Sequence, residues 1–83
     1  MNRHYTEKLS RLLVIVDHTA SIGIRSDLYK IYSNCKKIYV ELDRESVECR
    51  RLRHKTAKYE SLEQKLNESI QELEQWVTFS RLL

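Results

Sequence analysis

Residues 28–80, LYKIYSNCKKIYVELDRESVECRRLRHKTAKYESLEQKLNESIQELEQWVTFS, decide the fold, because a seven-residue apolar repeat runs through all of them. Its a positions are Leu28, Cys35, Leu42, Cys49, Thr56, Glu63, Ile70 and Val77, and its d positions are Ile31, Ile38, Glu45, Leu52, Tyr59, Leu66, Leu73 and Ser80. Twelve of these sixteen are apolar, whereas the 41% apolar composition would place about six or seven there by chance. A seam of period 3.5 needs another helix to bury it, so the expected activity is recognition of protein.

The rest of the composition agrees with an all-α chain. There is no proline among the 83 residues and one glycine, Gly23. Upstream of the seam, Tyr5, Leu9, Leu12, Leu13, Val16 and Ala20 recur at three- and four-residue spacing and draw one stripe on a helix. Val14 and Ile15 fall off that stripe, which predicts cover on more than one side. Gly23 can end a helix in a left-handed conformation, and Ser26 or Asp27 can cap the next one. The expected layout is therefore a single helical coiled-coil unit over 1–83. It has a short helix over about 3–21, a turn at 22–26 and a long helix over about 27–81. A second break between 43 and 56, with Ser46 as N-cap, is the alternative that the polar residues there allow.

Tyr32 and Tyr39 widen the apolar face in the first half of the long helix, and the short helix can fold back on them antiparallel. That leaves the seam from Leu52 to Val77 overhanging, to be completed by partner helices in a bundle. The predicted interface is Leu52, Tyr59, Leu66, Ile70, Leu73, Trp76, Val77 and Phe79. Charge points the same way. Residues 30–37 are basic, 41–48 largely acidic, 50–58 basic and 60–74 acidic, so a parallel homodimer would set each block against its own copy. A heteromeric assembly with other helical subunits is the expectation.

The run Arg50, Arg51, Leu52, Arg53, His54, Lys55, Thr56, Ala57, Lys58 is the one cluster suited to phosphate. Arg50, Arg51, Arg53, Lys55 and Lys58 are candidate contacts for an anion or an acidic partner. The alternative function is a small homodimeric regulator that binds nucleic acid through this run. No aromatic residue interleaves the cations to stack on bases.

Other chemistry is thinly represented. Asp17, His18 and Thr19 are consecutive and point about 100° apart on a helix, so they cannot form a relay among themselves. His4, His18 and His54 lack metal-ligand spacing, and one glycine cannot build a phosphate loop. No catalytic residue, metal or cofactor is expected, and the chain reads as a non-enzymatic coiled-coil adaptor or scaffold subunit. Cys35 and Cys49 would lie about 21 Å apart on one helix and cannot bridge there, so they read as small buried hydrophobes. The longest apolar run, Leu12 to Val16, is too short for a membrane span or signal core. A soluble protein of the cytoplasm or nucleus, without membrane insertion, is expected.

Overall fold

A computed structural model describes residues 3–82, the Leu82 side chain excepted. Three helices follow one another: α1 (Arg3–Asp17), α2 (Ile22–Leu52) and α3 (Ala57–Leu82). The all-α expectation holds, but the long helix over 27–81 is two helices that fold back on each other. Asn34 Nδ2 donates to Ser69 Oγ at 3.2 Å, and Cys35 Sγ lies 3.1 Å from the same hydroxyl. At the other end Thr56 meets Glu45 and Cys49. The repeat keeps its phase across the break, so its first half buries against its second.

The reversal uses neither glycine nor proline. Arg53 takes the left-handed conformation (φ 62°, ψ 28°), and its N–H and that of His54 both donate to the Cys49 carbonyl. Arg50 and Arg51 occupy the last turn of α2, where cations offset the negative end of the helix dipole. Thr56 then caps α3, its hydroxyl accepting from Tyr59 N–H at 3.1 Å. Ser46 caps nothing. Its hydroxyl donates to the Asp43 carbonyl within α2.

Magnitudes show why the chain turns. α3 buries Leu62, Leu66, Ile70, Leu73 and Val77, each worth about 1.5–3 kcal/mol when taken out of water. Breaking the helix forfeits a few backbone hydrogen bonds at about 1 kcal/mol each and strains Arg53 by about 1–2 kcal/mol. A separate partner would have to overcome an association entropy of at least about 4 kcal/mol, whereas a four-residue loop closes at small cost.

The first turn also differs from expectation. α1 ends at Asp17 because His18 Nδ1 contacts the Val14 carbonyl at 2.7 Å and Thr19 Oγ1 donates to the Ile15 carbonyl at 3.1 Å. These two side chains answer carbonyls that a glycine cap would otherwise serve. Ser21, in extended conformation, is the N-cap of α2 and accepts from Ile24 N–H. Gly23 therefore lies inside the first turn of α2, with no positive φ.

α1 packs antiparallel to α2, as the widened face predicts. Thr6 Oγ1 and Tyr39 Oη are 2.8 Å apart, Tyr5 Oη donates to Asn67 Oδ1 at 3.0 Å, and Lys8 pairs with Glu74 at 3.3 Å. Tyr5, Leu9, Leu12 and Val16 are its buried stripe, while Val14 is exposed, so α1 is covered on one side only. The bundle measures 47 × 17 × 16 Å. Its 15-residue first helix spans about 22 Å and lines only the half nearer the first turn.

Arg53→Gly is expected to raise stability by about 0.5–1 kcal/mol in urea unfolding, because glycine relieves the left-handed strain. In a continuous helix the same change would lower it by about 1 kcal/mol, so the sign tests the reversal. Leu66→Ala should cost about 2–5 kcal/mol, independent of protein concentration.

Candidate interaction surfaces

Closing the hairpin divides the predicted interface residues into two groups. Leu66, Ile70, Leu73 and Val77 lie in the chain's own core, and Tyr59 packs half-buried against it. These five were expected to await another protein, but α2 and α1 occupy their seam. Trp76 and Phe79 are 50% and 52% exposed, and Leu52, at the end of α2, is 39% exposed. The overhang predicted from Leu52 to Val77 is absent because α3 runs back along α2.

Trp76 and Phe79 form one wall of a trough whose lining comes from α2 and α3 alone. Their rings meet edge to face, with centroids 5.8 Å apart. Ile24, Leu28 and Ile31 form the opposite wall, about a 370 Å³ opening. A second depression continues it toward Ile38, Glu41, Leu62 and Lys65. Ile24, Ile31 and Ile38 are seven residues apart on α2 and partly buried. The rim carries Asp27, Glu41, Glu68 and Glu72 against Lys30 and Lys65. Its charge is therefore net negative.

The predicted cationic contacts gather at the opposite end. Arg50, Arg51, Arg53, His54, Lys55 and Lys58 are all exposed around the α2–α3 reversal. Arg51 makes a two-pronged contact with Glu48, Nε to Oε2 at 3.1 Å and Nη2 to Oε1. This hydrogen bonding holds the Glu48 carboxyl below its usual range and raises Arg51. Behind the cations Thr56 Oγ1 donates to Glu45 Oε2 at 2.6 Å, with Cys49 Sγ 3.7 Å from the same hydroxyl. The polar seam residues Glu45 and Thr56 thus satisfy each other inside the chain.

Sequence reasoning missed Ser69, a buried polar residue held by Asn34 and Cys35. Its signal was its place between Leu62 and Trp76 on the same edge of the repeat. It also treated 50–58 as a cationic surface without reading the basic last turn as a helix end. Asp17, His18 and Thr19 lie at the end of α1, where His18 and Thr19 close backbone carbonyls. Among the described residues, no group of three or more His, Cys, Asp or Glu is placed to hold a metal ion. No described helix is long and apolar enough to cross a membrane. Comparisons with protein-family models, curated proteins and solved structures find no match to this chain.

Four groups tie stability to alkaline pH. Burial is the main cause that pushes up the Cys35 thiol and the Tyr5, Tyr32 and Tyr59 phenols; the Ser69 and Asn67 hydrogen bonds partly oppose it at Cys35 and Tyr5. Each keeps its proton to higher pH in the folded chain than in the unfolded one. Stability is therefore full below the unfolded-state values, about 8.5 for thiol and 10 for phenol, and falls as pH rises past them. Urea midpoints should drop between about pH 8 and 10.5; an unchanged midpoint contradicts the assignment. In native protein at about pH 8, a thiol reagent should label half-buried Cys49 well before Cys35.

Proposed function

We propose that the chain is a non-enzymatic helical adaptor that takes an amphipathic helix of a different protein into the α2/α3 trough. The observation that carries this reading is the half-exposed Trp76 and Phe79 pair facing Ile24 and Ile31 in a channel that α1 leaves open. Large aromatic side chains beside an apolar groove are the usual anchors of helix-in-groove recognition. A guest helix there would turn the two-helix face into a four-helix arrangement, with side chains at i, i+3, i+4 and i+7 entering the channel.

Charge favours a partner over a second copy. Four carboxylates and two ammonium groups rim the trough, so two copies meeting trough to trough would bring acidic rims together. A helix with lysines or arginines flanking its apolar stripe complements them. The heteromeric reading rests on this rim. The segregated charge along the sequence supports it less, because antiparallel folding already sets residues 30–37 beside the acidic stretch near Ser69.

Site-specific photo-crosslinking in the native host tests the proposal. A crosslinker in place of Phe79 should give an adduct with another protein, and one in place of exposed Arg11 on α1 should not. Trp76→Glu should remove the adduct while costing less than about 1 kcal/mol in stability, since the ring is half in water. Purified alone, the chain should sediment as a folded monomer. Adducts only with itself, or none from position 79, would overturn the reading.

A further inference from the structure

The α2–α3 reversal collects the basic run into a blunt cationic end, and we infer that this end docks on an anionic lipid surface. Six exposed basic residues, Arg50, Arg51, Arg53, His54, Lys55 and Lys58, surround a single four-residue reversal. The nearby carboxylates, Glu45, Glu48 and Glu60, are outnumbered by Arg50, Arg51, Arg53, Lys55 and Lys58, and Arg50, Arg53 and Lys58 contact no carboxylate among the described residues. Their charge faces solvent.

Arg53 adds a second observation. It is the single non-glycine residue with positive φ among those described. Glycine is the unstrained choice in that conformation. A cation stands there instead, as the C-cap of α2, so the residue that turns the chain also adds to the charge of this end.

Leu52 and Tyr59 decide between lipid and nucleic acid. Leu52 sits between Arg51 and Arg53 and is 39% exposed. An aliphatic side chain among cations contributes little on a phosphodiester backbone but gains by entering the headgroup layer of a bilayer. The Tyr59 ring is partly buried against the core and Lys55 Nζ lies 5.7 Å from its centroid, so it is poorly placed to stack on a base. Clusters of four or more Lys and Arg beside an apolar residue suit anionic leaflets. Docking end-on leaves the aromatic part of the trough clear, since even its near end at Glu41 is 12 residues, about 18 Å, from Arg53 along α2. The lipid contact does not depend on the trough having a partner.

Vesicle co-sedimentation of the full chain tests this directly. Phosphatidylcholine vesicles with about 30 mol% phosphatidylserine are compared with phosphatidylcholine alone and with a short DNA duplex of arbitrary sequence, between about 50 and 200 mM salt. Binding should require phosphatidylserine and weaken steeply with salt. The Arg50→Gln, Arg53→Gln, Lys58→Gln triple variant should lose about a hundredfold and Leu52→Ser about fivefold. The Arg50→Lys, Arg53→Lys double variant, which keeps the charge, should bind like the parent, and circular dichroism checks that each variant retains its helices. Trp76→Glu should leave vesicle binding unchanged, which separates this surface from the trough. Equal binding to neutral vesicles, duplex binding tighter than vesicle binding, or an undiminished glutamine variant would each overturn the inference.

Discussion

Leu66 and Leu73 of α3 are wholly buried in a core shared with Leu28 and Cys35 of α2, and the rest of the molecule depends on that intramolecular contact. Neither helix would persist alone in water, since its apolar stripe would stay wet and its backbone order would be uncompensated. Paired, they make a two-helix face on which α1 can dock through Tyr5, Leu9, Leu12 and Val16. The polar contacts follow the same geometry. Ser69 finds Asn34 and Cys35, and Thr56 finds Glu45, because the reversal brings the two halves of the repeat level with each other.

Folding the seam on itself changes what its charges and apolar groups mean. As a linear pattern, alternating basic and acidic blocks look like instructions for a foreign helix. In the hairpin, the basic start of α2 runs beside the acidic later part of α3, and the blocks reinforce the antiparallel pairing at long range. What the fold does not absorb is therefore more informative than the pattern as a whole. Two such surfaces among the described residues are the apolar trough, which runs from Trp76 toward Glu41 and Lys65, and the cationic end around Arg53. The aromatic end of the trough and the cationic end lie at opposite ends of a body 47 Å long. The proposed adaptor would hold a helix at one end and an anionic surface at the other.

The short first helix was legible because its evidence is local. A stripe at three- and four-residue spacing fixes both its existence and its buried side, and the tyrosines at positions 32 and 39 announced where it would lie. Its end was not legible. Gly23 drew attention as the only glycine, but His18 and Thr19 close the helix with side-chain contacts to carbonyls, and Ser21 starts the next one. Position 53 shows the same limit, since an arginine in the left-handed region is unfavourable taken alone and is offset here by the packing of α3 on α2.

By itself the sequence determined that the chain is helical, which residues are apolar on each helix, and that the seam must be covered. It could not determine whose helix covers it. A heptad repeat is a property of neighbouring residues, and Cys49, Leu52, Thr56 and Tyr59 carry it through the reversal without a break in phase. Whether Leu66 meets Leu28 of its own chain or a residue of another depends on loop closure against association entropy, a comparison between distant parts of the chain. The tertiary structure decided it in favour of closure, and in doing so left Trp76 and Phe79 on the surface and gathered the arginines at one end.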